Sequence, residues 1–121
     1  MKHSAVLLRS SVAALLLGCA VCVAFPSAPQ PHRIEVDAKR FEFAPAAITV
    51  KKGEPVVLVL KSEDVAHGLR FRELGLEMKT TKGGTAELHF TPQKAGDFVG
   101  QCSVFCGAGH GHMSLTMHVV D

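Results

Sequence analysis

From His32 onward, hydrophobic residues recur mostly at every second position, in short runs separated by turn residues. Ile34 and Val36 alternate with polar neighbours over residues 33–38, and Ile48 and Val50 do so over 47–51. A period of two sends successive side chains to opposite faces of a strand. Lys52-Gly53-Glu54 supplies a turn, and the apolar run 55–61 (P-V-V-L-V-L-K) suits a strand buried on both faces. A shorter alternation covers 69–72. Lys82-Gly83-Gly84 turns into 85–90, where Ala86, Leu88 and Phe90 alternate with Thr85, Glu87 and His89, and Thr91-Pro92 ends the run. Residues 96–101 lead into a cysteine-bearing loop, and 114–120 put Leu115, Met117 and Val119 on one face. No stretch keeps a helical period; 73–79 could hold one helical turn, weakened by Gly75. Seven or so strands at intervals of about ten residues predict an all-β fold, an antiparallel Greek-key β-sandwich.

The first 25 residues follow another plan. Lys2 and Arg9 precede an uncharged run from Ser10 to Phe25, rich in Val, Ala and Leu. A charged start, a short apolar centre and small residues near a cut describe a secretory signal, and the run is shorter than the ~20 residues that span a bilayer. Cleavage after Ala24 is the first expectation for residues 1–25. Leu16-Leu17-Gly18-Cys19 also resembles a lipobox, which would leave Cys19 as a lipidated membrane tether, and an uncleaved anchor is the third option. Each places the following domain outside the cytoplasm. Residues 26–31 (P-S-A-P-Q-P) form an extended Pro-rich linker, and residues 32–121 form the folded domain.

The 121 residues allow one domain, and a formal net charge of +2 without any basic block excludes nucleic acid as an implied partner. Phe is the only aromatic residue, and most of the seven Phe are expected in the core. With Cys19 and Cys22 assigned to the targeting segment, two cysteines remain, Cys102 and Cys106.

Those two lie in G-Q-C-S-V-F-C-G-A-G-H-G-H-M, residues 100–113, where Cys102, Cys106, His110 and Met113 follow at steps of four, four and three. Thiolates, an imidazole and a thioether on one curled loop are the donors a copper ion selects. A disulfide between Cys102 and Cys106 is the structural alternative, favoured by compartment but closing too short a loop to gain much entropy. Zinc is the other, against which the Met113 thioether argues. A c-type haem is excluded by the lack of C-x-x-C-H.

The loop resembles the copper loop of the dinuclear CuA domain, the cupredoxin-like domain of subunit II of haem-copper cytochrome oxidases and of nitrous oxide reductases. Asp64-Val65-Ala66-His67-Gly68 is similar to that family's D-V-x-H segment, and the likeness covers nearly all of residues 32–121. The resemblance implies that Cys102 and Cys106 bridge two copper ions, that His67 and His110 each cap one, and that Met113 and the carbonyl of Val104 are weak ligands. Val104 stands where the family usually carries Glu, which leaves the carbonyl donor but removes a carboxylate. The other histidines have plainer readings: His89 and His118 on strand faces turned from the core, His112 outward as a surface relay or weak copper ligand. Met78 and Met117 are read as packing, and Phe71 and Phe105 as shields of the site from water.

Taken together, these features imply an extracytoplasmic, non-catalytic electron carrier. Its donor would be a cytochrome c or another cupredoxin, and its acceptor a terminal oxidase or reductase. The family's transmembrane hairpin and docking Trp have no counterpart here, so a free-standing or tethered carrier is the leading expectation. The rivals are a periplasmic copper chaperone for oxidase assembly and a mononuclear cupredoxin using one of the two cysteines.

Overall fold

A computed structural model describes residues 18–28 and 30–121. The expected signal falls largely on residues 1–17, outside the described residues, and residues 18–28 form no regular element. Among the described residues no helix is long and apolar enough to cross a membrane.

The domain is a sandwich of nine strands: β1 (His32–Lys39), β2 (Glu42–Ala44), β3 (Ala47–Lys51), β4 (Val56–Ser62), β5 (Gly68–Phe71), β6 (Leu76–Lys79), β7 (Thr85–Phe90), β8 (Gly96–Gln101) and β9 (Ser114–Val120). One sheet has the order β2-β1-β4-β7 and the other β3-β9-β8-β5-β6. The expected all-β sandwich is what forms, with one difference in pairing. β1 runs parallel to β4, and β3 parallel to β9, while the other pairs are antiparallel. The chain crosses from the first sheet at β2 to the second at β3 and returns at β4, and such a crossing brings β4 back beside β1 in the same direction.

Two short strands, β2 and β6, come in addition to the expected runs. The segment read as one helical turn divides instead: Arg72–Leu74 makes a 3-10 turn, and Gly75 at φ +65° ends it and turns the chain into β6. A left-handed residue there suits glycine, which carries no Cβ to clash.

Leu58, Leu60, Val36, Leu69, Phe71, Leu115 and Met117 pack between the sheets, and Cys102, Cys106 and Met113 belong to the same cluster. β4 is buried on both faces, as its apolar run predicts. Its outer face is covered from the flanks, because Arg33 on β1 reaches over β4 to Glu87 on β7 at 2.9 Å. Glu35 pairs there with Lys61 at 2.8 Å. Long charged side chains of this kind cover apolar surface with their stems while keeping their heads in water. Of the seven phenylalanines, Phe43, Phe71 and Phe98 are buried and Phe90 packs partly buried against the core, as expected for most of them, while Phe25, Phe41 and Phe105 are exposed.

Candidate metal centre

All six residues singled out in the sequence lie at one end of the sandwich. His67 immediately precedes β5, Cys102 follows β8, and Met113 immediately precedes β9. These three strands belong to one sheet, so their ends are already neighbours before any loop is drawn. Between Cys102 and Met113 the chain curls back, and a 3-10 turn at His110–His112 returns it to β9. Cys102 N–H donates to the Met113 carbonyl at 3.0 Å, which closes the base of the loop.

The donor atoms form a continuous chain. His67 Nδ1 lies 3.9 Å from Cys102 Sγ, Cys102 Sγ lies 3.9 Å from Cys106 Sγ, and Cys106 Sγ lies 3.8 Å from His110 Nδ1. Met113 Sδ is 3.8 Å from Cys106 Sγ, and the Val104 carbonyl is 3.2 Å from Cys102 Sγ. The ligand atoms of His67, Cys102 and Cys106 lie within 4.8 Å of one another, all on buried residues. A disulfide bond is about 2.05 Å long, so the cysteines are free thiols in this arrangement. A metal–thiolate bond is about 2.3 Å and a metal–imidazole bond about 2.0 Å. Sulfurs and ring nitrogens at these separations can therefore share an ion without backbone movement. The donor set is soft, and it fits copper.

Residues around the donors hold them in place. Asp64 Oδ1 lies 2.6 Å from His67 Nε2, so the ring's outer nitrogen is occupied and Nδ1 faces Cys102. A carboxylate on the far nitrogen fixes both the orientation and the tautomer of a ligating imidazole. Desolvation alone would raise the pKa of Asp64, but hydrogen bonds from Arg40 N–H, the His67 ring and Val65 N–H outweigh it and bring it down to about 2. Thr80 N–H donates to the His67 carbonyl at 2.8 Å, tying the same residue to the end of β6. Burial, and then the neighbouring Cys102, push the Cys106 thiol up to about 11. At neutral pH it holds its proton until a metal displaces it.

Close packing depends on glycines. A Cβ at Gly68 would lie 2.1 Å from Ser103 Oγ, so glycine after His67 lets the two loops touch. A Cβ at Gly109 would lie 2.5 Å from the Phe41 ring, and one at Gly107, where φ is +138°, would lie 2.8 Å from it. The Arg40 Nε–H donates to the Cys106 carbonyl at 2.7 Å. Nothing in the sequence marks Arg40 or Phe41, whereas the i, i+3 spacing of Asp64 and His67 is visible within D-V-A-H.

The remaining sequence candidates lie apart. His112 is exposed on the 3-10 turn. His89 faces out beside Glu87, and His118 lies 2.6 Å from Asp97 on the outer face of its sheet. Met78 and Met117 are buried packing residues, and Phe71 is buried in the core between the sheets. Phe105 is not a water shield in the sense expected: it is 79% exposed, with its ring centroid 5.7 Å from that of His110.

The family model of the cytochrome c oxidase subunit II periplasmic domain matches residues 28–120. The chain belongs to this family. It is thus an extracytoplasmic domain of a copper-binding class, built on a cupredoxin-like sandwich. Subunit 2 of the cytochrome c oxidase of Cereibacter sphaeroides is 34% identical over 91 residues, covering 73% of this chain and 30% of that protein. The chain therefore spans about a third of the length of such a relative. The periplasmic domain of subunit II of the cytochrome oxidase of Bradyrhizobium japonicum superposes with a TM-score of 0.68 at 20% identity, covering 77% of this chain and 87% of that one. The mixed-disulfide intermediate between a thioredoxin-like protein and subunit II of cytochrome c oxidase matches with a TM-score of 0.62 at 19% identity, covering 84% and 88% of the two chains. At these identities the structural likeness concerns the fold.

Proposed function

We propose that this subunit II domain is an electron-transfer protein with a dinuclear CuA-type centre. In this reading Cys102 and Cys106 would be shared by two copper ions, His67 and His110 would each hold one, and Met113 and the Val104 carbonyl would be weak ligands. The observation that carries it is the pairing of two buried sulfurs 3.9 Å apart, each with its own imidazole nitrogen at 3.8–3.9 Å. A single-ion site needs one thiolate, and the second would then be a buried thiol with an imidazole beside it to no purpose.

Copper bound there would supply a one-electron couple. The chain's own residues supply rigidity. His67 is held by Asp64 and Thr80, Met113 is locked at the start of β9, and Cys102 is fixed by its amide on Met113. Donors that stay in place in both oxidation states keep the reorganisation on electron transfer small. Six donors leave no position for a substrate, so the domain itself performs no catalysis. Its electron partners are proposed to be a soluble donor, a cytochrome c or another cupredoxin, and a terminal oxidase or reductase as acceptor. A thioredoxin-like reductant that keeps Cys102 and Cys106 as thiols before metal uptake is a further proposed partner, as is a tether at the N-terminal segment.

Copper analysis and electron paramagnetic resonance test this directly. Two copper ions per chain and a seven-line mixed-valence spectrum are expected. One copper with a four-line spectrum would overturn the dinuclear reading in favour of a mononuclear cupredoxin. A single Cu(I) that passes to a competing acceptor would favour the copper chaperone.

A further inference from the structure

Arg40 lies outside every ligand motif, in the turn between β1 and β2, yet it touches both halves of the donor set. Its backbone N–H donates to Asp64 Oδ2 at 2.9 Å, and the other oxygen of that carboxylate holds His67. Its side-chain Nε–H donates to the carbonyl of Cys106 at 2.7 Å. The next residue, Phe41, lies against Gly107 and Gly109 so closely that neither could carry a Cβ. One turn of the first sheet thus braces two ligand-bearing segments that hang from the second.

The plain account of Arg40 is a surface arginine that satisfies a stray carbonyl. Two features go beyond it. The carbonyl belongs to Cys106, whose sulfur lies at the centre of the donor chain, and the amide of Arg40 itself anchors the carboxylate behind the opposite imidazole. The two contacts also separate experimentally, because replacing the side chain removes only the one to Cys106.

We propose that Arg40 is a positioning residue for the metal centre, clamping the loop around Cys106 and His110 against the Asp64–His67 segment and fixing a positive charge beside Cys106. The inference rests on the copper reading for its second half only. A fixed cation favours the state that holds one more electron, so Arg40 raises the reduction potential of the loaded site.

The test compares wild type with Arg40→Gln and Arg40→Lys in two arms. In metal-free protein, hydrogen exchange is followed at the amides of His110, His112 and Met113, which close the 3-10 turn. Arg40→Gln is expected to speed their exchange about tenfold while β4 stays unchanged. In copper-loaded protein, Arg40→Gln is expected to lower the potential and Arg40→Lys, which keeps the charge, to restore most of it. Unchanged exchange at the turn, or equal acceleration throughout the sandwich, overturns the clamp. Equal potentials in wild type and Arg40→Gln overturn the charge role. Wild-type protein that takes up no copper refutes the copper reading and the charge role with it, while the metal-free arm still decides the clamp.

Discussion

The two sheets contribute to the centre in different ways. The sheet β3-β9-β8-β5-β6 carries every candidate donor, since His67, Cys102 and Met113 stand at the ends of β5, β8 and β9, and Val104, Cys106 and His110 lie on the loop between the last two. The sheet β2-β1-β4-β7 carries none, but the segments that follow β1 and β4 hold Arg40, Phe41 and Asp64, the residues that grip the donors from behind. Adjacent strands of one sheet bring donor atoms together, because strand spacing is fixed at about 4.8 Å. Orientation comes partly from within that sheet, through Thr80 and Met113, and partly from the turns of the opposite one, through Arg40 and Asp64. Donors and supports therefore respond differently to substitution, which makes the comparison testable.

The largest contrast should come from the cysteines. Cys102→Ser and Cys106→Ser are each expected to abolish the two-copper spectrum, since each sulfur serves both ions in the proposed centre; copper per chain and absorbance check this. Leu58→Ala, in the core face of the first sheet, should instead cost about 2–5 kcal/mol of stability and leave copper per folded chain unchanged. Denaturant titration of the metal-free protein measures the first effect and metal analysis of the folded fraction the second. A core substitution that emptied the site as fully as a cysteine change would break the division of labour.

Next in size is the support. Asp64→Ala removes the carboxylate from His67 and should weaken copper binding by about 10–100-fold, read by competition with a chelator. The protonation of the site adds a pH dependence. With the Cys106 thiol at about 11 in the metal-free protein, copper must displace its proton at neutral pH, so affinity should rise by roughly tenfold per pH unit for each proton released. Stability runs separately. The folded pKa of Asp64, about 2, lies below its ordinary 3.8, so its contribution is present above about 3.8 and disappears as pH falls through about 2. Because a third of its side chain is exposed, solvent screening keeps that contribution small. Acid titration of wild type against Asp64→Ala measures it.

The smallest effect belongs to the outer face of the first sheet. Breaking the strap between Arg33 and Glu87 with Glu87→Ala should change stability only slightly, and less in high salt, as read by denaturant titration. Copper binding should not move at all. A larger loss would mean that the strap's cover over β4 matters more than its charges.

The sequence discloses these layers unequally. Strands with several alternating residues, such as β3, β7 and β9, are legible because a period of two needs only a few repeats to stand out. β2 is not, because its three residues place only Phe43 inward. β6 escapes for a related reason: Leu74, Leu76 and Met78 straddle a 3-10 turn and a strand, and only the left-handed Gly75 marks where one becomes the other. The parallel pairing of β1 with β4 depends on the crossing between sheets, which no local pattern records. The candidate donors are readable as a set because four of the five side-chain donors share one short loop with fixed spacing. Arg40 is unreadable for the opposite reason, since its partners lie 24 and 66 residues away and meet it only through the fold.

The position of β9 governs the loop before it. It is inserted between β3 and β8, and Ile48 faces Met117 across a long reach of intervening chain. Without β9 paired to β8, Met113 has no seat and the loop no base. The pocket's shape thus depends on the strand that follows it: the amide of Cys102 closes the loop only onto the carbonyl that β9 holds in place.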